Sequence, residues 1–132
     1  MELSERLNLN DYFNDSRFQL KKPKLNGDWK ERCGDNFYSQ KEDGTWQQHR
    51  NRFHNGISYL KKDTRRPNMF VGERFWYLGK SAVIPPREFL SIIGGRSIQV
   101  NHPEKVVSNF IDWVKNNFKE GIIDVPNDNP DI

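Results

Sequence analysis

The sequence predicts a single α+β domain over residues 1 to 132, in which a small mixed or antiparallel β-sheet or partial barrel encloses aromatic side chains and a C-terminal amphipathic helix covers it. Three observations carry this expectation. An apolar stripe of helical period runs from Pro103 to about Lys119, an Asp-Gly pair separates two short strand-like runs, and two further aromatic and β-branched runs precede a Pro-Pro break.

In the helix, Val107, Phe110, Ile111, Val114 and Phe118 recur at three- and four-residue steps, while Glu104, Ser108, Asp112 and Lys115 take the other side. Asn101 or His102 is positioned to cap it, Pro103 suits its first turn, and Gly121 offers a left-handed stop. Trp113, at the margin of the stripe, reads as a packing residue. Asn36-Phe37-Tyr38-Ser39 and Thr45-Trp46-Gln47-Gln48 flank Asp43-Gly44, whose glycine supplies the positive φ of a tight hairpin. Met69-Phe70-Val71 and Phe75-Trp76-Tyr77-Leu78 read as two strands, or as one strand bent at Gly72, ended by Pro85-Pro86. Asn10 to Asp15 forms a helical turn capped by Asn10, after which the chain is expected to extend through Phe18 and Leu20. The polar, acidic tail, residues 124 to 132, is expected to be mobile.

Composition limits the function classes. Leu, Ile, Val and Phe make up 33 of 132 residues, enough for collapse, but the apolar fraction of 34% implies a thin core. No apolar run is long enough for a membrane span, and no secretory apolar region follows Met1, so a soluble, cytoplasmic protein is expected. Cys33 is the lone cysteine, which excludes an internal disulfide and a cysteine-pair zinc site. His49 and His54 stand five residues apart with no obvious carboxylate to complete a site, so neither a metal nor a cofactor is assigned.

Charge is more suggestive. Residues 17 to 66 carry thirteen basic and six acidic side chains, against one and four before them and seven and eight after. Within this belt Lys21-Lys22-Pro23-Lys24, Arg50-Asn51-Arg52, Lys61-Lys62 and Arg65-Arg66 alternate with Phe18, Trp46, His49, Phe53 and His54. That mixture suits a phosphate backbone and unstacked bases, and it equally suits a loop-rich segment kept in water. Glycine loops that cradle phosphates and serine nucleophile elbows are absent. Gly94-Gly95-Arg96-Ser97 reads either as a plain turn or as a close backbone approach with an arginine gripping phosphate. Asp35 and Asp63, each beside basic residues, are either surface ion-pair partners or general bases. Because neighbours on a strand alternate faces, Trp76 either stacks on a base or lies under the C-terminal helix when Phe75 and Tyr77 turn inward.

The ordered string of motifs resembles the nucleotide modification associated domain family of the second type, found in bacteria and phages. The likeness runs over about residues 9 to 123. It begins at Asp11-Tyr12-Phe13-Asn14-Asp15-Ser16-Arg17-Phe18, Lys21-Lys22-Pro23 and Gly27, and passes through Gly34-Asp35-Asn36-Phe37-Tyr38 and Trp46-Gln47. Asp63-Thr64, Met69 to Val71, Phe75-Trp76-Tyr77-Leu78-Gly79, the Gly-Arg-Ser turn and Phe110-Ile111-Asp112-Trp113 follow in the family's order. The resemblance implies that the chain lacks the family's opening strand-rich segment, with its Cys-Lys-Pro and Gly-Asp-Trp motifs, which leaves the barrel incomplete. It also implies a link to DNA base modification and a likeness to small barrels that read modified bases. The family's glycine turn carries a histidine that Gly94-Gly95-Arg96-Ser97 does not have, so no chemistry of that histidine carries over.

The leading expectation is therefore a nucleic-acid-binding accessory domain, with DNA favoured over RNA, recognising a nucleotide or modified base. Lys21, Lys22, Lys24, Arg65 and Arg66 neutralise phosphates, Arg17 and Arg96 orient them, and Asp35, Asn36, Tyr38 and Trp76 line a base pocket. One alternative is an enzyme of nucleotide or base modification using Asp35 or Asp63 for acid–base work. Another is an interaction module that completes its sheet with a second copy or a partner chain at an open edge.

Overall fold

The computed structural model describes residues 1 to 93 and 101 to 126. It is α+β, as expected, with helices and three two-stranded sheets, two antiparallel and one parallel, none of them closed into a barrel among the described residues. The chain forms two compact units, Leu3 to Val71, and Met1–Glu2 with Gly72 to Ile132.

In the first unit β1 (Glu5–Asn8) runs directly into α1 (Leu9–Asn14). The helix begins one residue before the expected Asn10 because the Asn8 side chain, not that of Asn10, accepts from the Asn10 amide at 2.9 Å. Asn10 is used elsewhere: its Oδ1 accepts from the Gln40 amide at 2.8 Å and ties α1 to the hairpin. The expected extension through Phe18 and Leu20 is corrected as well. Ser16–Lys21 winds into 3₁₀ turns kinked at Phe18, capped by Asp15, whose carboxylate accepts from the Arg17 amide.

A short helix, α2 (Trp29–Arg32), follows, closed by a capping box in which Asp28 and Glu31 each accept from the other's backbone amide. The hairpin then forms where the Asp-Gly pair placed it, with β2 (Tyr38–Gln40) antiparallel to β3 (Trp46–Gln48) and Tyr38 opposite Gln48. Gly44 has φ of 80°, and Asp43 accepts from both the amide and the hydroxyl of Thr45. Next, α3 (Ile57–Asp63) starts from Gly56, whose φ of 96° only glycine adopts easily, and β4 (Asn68–Val71) returns to pair antiparallel with β1, Glu5 facing Val71 and Asn8 facing Asn68. Leu9, Phe37 and Tyr38 are the buried centre of this unit, with Trp46, Leu60 and Met69 packed against them.

In the second unit β5 (Trp76–Tyr77) pairs in parallel with β6 (Gly121–Ile122), so 69–71 and 75–78 belong to separate sheets. The terminal helix, α4 (Glu104–Asn117), keeps its predicted phase, but Pro103 occupies the N-cap position and no side chain caps it. Phe118 ends it in an extended conformation, and Gly121, with φ of 102°, serves the strand that follows. Trp113 packs as expected, against Phe89, Phe110 and Phe118. No helix among the described residues is long and apolar enough to cross a membrane.

Candidate functional site

Asp63, at the last position of α3, joins a tyrosine of the hairpin to a histidine of the loop before α3. Its Oδ2 accepts from the Tyr38 hydroxyl at 2.6 Å and lies 2.6 Å from His54 Nδ1. Gln48 Nε2 donates to the same Tyr38 oxygen at 3.0 Å, while Gln48 Oε1 accepts from the Gly56 amide, so one carboxamide links the hairpin to the start of α3. Tyr38 is buried, and burial together with its bond to Asp63 pushes the phenol up to about 12. It stays a hydroxyl, and a donor, throughout the physiological range.

The loop that presents His54 is held by Asn51, which is 5% exposed. Asn51 Nδ2 donates to the carbonyls of His49 and His54, and its Oδ1 accepts from the amides of Phe53 and His54. Every polar atom of that carboxamide is thereby used, which builds the turn from within. The imidazole of His54 stacks on Tyr59 at 4.8 Å and meets the edge of Phe37 at 5.9 Å. Tyr59 and Phe53 keep much of their surface exposed, and the Arg52 guanidinium lies over the Phe53 ring.

On the other side of the hairpin, Ser39 Oγ bonds His49 Nε2 at 2.8 Å, Phe13 stacks on His49, and Lys22 Nζ sits 3.7 Å from the centre of the Phe13 ring. Burial, and then the Lys22 ammonium, lower the pKa of His49 from its ordinary 6.5. Folding thus favours the neutral ring. The corresponding stability is complete above pH 6.5 and is lost as pH falls through that value toward the lowered one. His49→Phe, which retains the stack on Phe13, is expected to flatten the fall in urea midpoint between pH 7 and pH 5; an unchanged slope would show that another group sets it.

The residues singled out from sequence divide by what their atoms already hold. Arg17 gives all three guanidinium nitrogens to Asp15 and Glu5, which raises its own pKa and lowers that of Asp15. Lys24 pairs with Glu31 at 2.9 Å. Together with Leu20, Lys22 and Lys30 these two line a cleft of about 250 Å³, so Lys22 and Lys24 are brought together while Lys30 joins them unforeseen. Lys21 is exposed, and its carbonyl accepts from the Asn36 amide. Asp35 Oδ1 accepts from the Tyr12 hydroxyl at 2.8 Å, and Tyr12 is raised by burial first and by Asp35 second. Asn36 is 2% exposed, its Nδ2 donating to the carbonyls of Tyr12 and Phe18.

Arg65 and Arg66 are exposed just past α3. Trp76 belongs to the other unit, half-buried, where it lines an apolar cavity of about 250 Å³ with Phe110, Ile111 and Val114, under the terminal helix. Arg96 lies outside the described residues. His54, Asn51 and Gln48 were not among the expected site residues. The signal that points to them is Asp63 itself, nine residues from His54 and reached by way of α3, an element with no capping residue to announce it. Among the described residues no group of three or more His, Cys, Asp or Glu is arranged to hold a metal ion.

Comparison with known proteins adds one finding, since no curated protein and no solved structure matches the chain. The model of the nucleotide modification associated domain 2 family matches residues 1–130. This match takes in β1, ahead of the position near residue 9 where the recognisable motifs start, and Gly27-Asp28-Trp29, at the entry to α2, supplies a triplet expected to be missing. On a match over essentially its whole length, the chain belongs to the nucleotide modification associated domain 2 family.

Proposed function

We propose that this domain is the nucleic-acid-binding component of a nucleotide modification system, engaging phosphates through the first unit, with DNA favoured over RNA. Residues 3 to 71 carry fourteen basic and nine acidic side chains, net +5, whereas the remaining residues carry seven and nine, net −2. The observation that carries the reading lies at the end of α3. Lys61, Lys62, Arg65 and Arg66 are exposed and enter no ion pair among the described residues. The one carboxylate inside that run, Asp63, is hydrogen-bonded to Tyr38 and His54 and forms no ion pair with the four cations. Four cations outside any ion pair within six residues, in a unit that also exposes the rings of Phe53 and Tyr59, match what a flexible phosphate backbone with accessible bases requires.

Fluorescence anisotropy with labelled DNA and RNA oligonucleotides over a salt series tests the proposal. Changing all four cations to glutamine (Lys61→Gln, Lys62→Gln, Arg65→Gln, Arg66→Gln) is expected to weaken single-strand binding by at least about tenfold. It is also expected to reduce the slope of log affinity against log salt by up to about 3, given about 0.7 per phosphate contact. No binding to any single strand or duplex at low salt overturns the proposal. An unaltered salt slope in the variant removes these four residues from it, and tighter binding of RNA than of DNA of equal sequence reverses the stated preference.

A further inference from the structure

Resting on the phosphate-binding reading above, we infer that His54 is a base-reading residue: its Nε2 accepts a hydrogen bond from a donor on the edge of an unpaired nucleobase. The inference begins with the tautomer. Asp63 Oδ2 already accepts from the Tyr38 hydroxyl, and at 2.6 Å from His54 Nδ1 it requires a proton on that nitrogen. In the neutral imidazole this leaves Nε2 with its lone pair. No other hydrogen bond of the His54 ring exists among the described residues, and the side chain is 43% exposed.

The orientation of this acceptor is built in. Tyr59 covers one face of the ring, Phe37 blocks it edge-on, Asp63 clamps Nδ1, and the four hydrogen bonds of Asn51 hold the backbone on either side. A histidine that only filled space would not need its tautomer set by a carboxylate that accepts from a buried tyrosine, whose hydroxyl oxygen in turn accepts from a glutamine. Tyr38 and Asp63 are accordingly positioning residues, and His54 is the group that meets ligand.

The surroundings narrow the ligand class. The acceptor lies on the loop that enters α3, whose C-terminal end carries the unpaired cations, and the exposed ring of Tyr59 stacks on its imidazole. A hydrogen-bond donor on a flat ring tethered to a phosphate satisfies all three features. An adenine or cytosine amine keeps one N–H free in the major groove of a duplex, so the preference for single-stranded or extruded bases comes from the exposed rings of Tyr59 and Phe53, which suit an unstacked base.

Adenine and purine deoxynucleotides differ by one exocyclic amine and so isolate the interaction. A dA decamer is expected to bind the wild-type protein about three- to tenfold more tightly than a decamer of purine deoxyriboside, the range of one net hydrogen bond. With His54→Phe, which keeps the aromatic stack on Tyr59, the two decamers are expected to bind equally. On the unaltered protein, nitrogen NMR of the imidazole gives a second readout: a Nδ1-protonated ring, and a Nε2 resonance that moves with the dA decamer and not with the purine decamer. If both decamers bind but the protein does not distinguish them, or if Nε2 does not respond to dA, the base-reading role is wrong while phosphate binding stands. If neither binds at low salt, the phosphate-binding reading fails and this inference fails with it.

Discussion

Phe89→Ala is expected to lower stability by about 3 to 5 kcal/mol, the range for removing a buried phenyl ring when its surroundings cannot close the gap. Phe89 is 4% exposed and is the one buried hydrophobic side chain of its unit among the described residues. Its ring meets Phe110 at 5.5 Å and Trp113 at 5.8 Å, and Trp113 in turn meets Phe118 at 5.3 Å. The backbone there is equally committed, the Phe89 amide donating to Pro86 at 2.9 Å as the chain leaves Pro85-Pro86. Removing the phenyl takes away the ring against which Phe110 and Trp113 of α4 both pack, while Val107 and Ile111 on the same helix are already open to solvent. Since whole domains of this size are held by about 5 to 15 kcal/mol, a large share of the unit's stability depends on one residue. Urea unfolding followed by tryptophan fluorescence measures it. A loss under about 1 kcal/mol would mean that α4 is held by something other than this aromatic cluster.

Asn36→Ala is expected to cost about 2 to 4 kcal/mol, because the buried Tyr12 carbonyl and the part-buried Phe18 carbonyl would each lose a donor, at about 1 to 3 kcal/mol for a fully buried group, while the unpartnered Asn36 Oδ1 would leave with the side chain. Asn36 joins three segments: Nδ2 binds the carbonyls of Tyr12, in α1, and of Phe18, at the kink of the 3₁₀ turns, while its own amide donates to Lys21. Gly34, two residues earlier, has no room for a side chain, since a Cβ there would run into the backbone of Lys21 and Pro23. The stretch from Gly34 to Asn36 therefore lies flat against the basic segment, and its carboxamide acts as a staple between α1 and the turns that carry Lys21 and Lys22. Asn36→Asp, which keeps the shape but removes the amide protons and adds charge, is expected to be at least as damaging. Hydrogen exchange of the Phe18 to Lys22 amides provides the check. Unaltered protection and an unfolding midpoint within error of wild type would contradict the assignment.

Such roles explain which parts of the molecule were legible in advance. The Asp43-Gly44 hairpin and the stripe of α4 depend on neighbours within a few residues, so local pattern suffices to find them, and the β-favouring run Met69-Phe70-Val71 marks β4 although its partner strand is distant in sequence. By contrast, β1 has no such pattern: Glu-Arg-Leu-Asn becomes a strand because β4 lies beside it. The turns at Ser16–Lys21 follow from Asp15 capping them, and α3 from a glycine entry without a capping side chain. The same division holds at the site. Asp63 and Tyr38 stand out as residue types, but His54 looks unsupported as long as the search for its partner stops at His49, and only the fold returns the chain to bring Asp63 to it. Asn36, chosen as a polar group for a pocket, spends both amide protons on backbone, a commitment no spacing rule reveals.

Pairing of β1 with β4 has a consequence during synthesis. Asn8 finds its partner at Asn68, sixty residues later, so at translation rates of about 5 to 20 residues per second β1 emerges about 3 to 12 seconds before the strand that completes its ladder. For that interval the nascent chain exposes unfilled amide and carbonyl groups along Glu5–Asn8, and the hairpin can close while α1 still has no sheet at its back. Truncation upstream of residue 68 is therefore expected to leave a ribosome-bound product that is readily cut by protease around Glu5–Asn8, with protection arriving in one step once Val71 has cleared the exit tunnel.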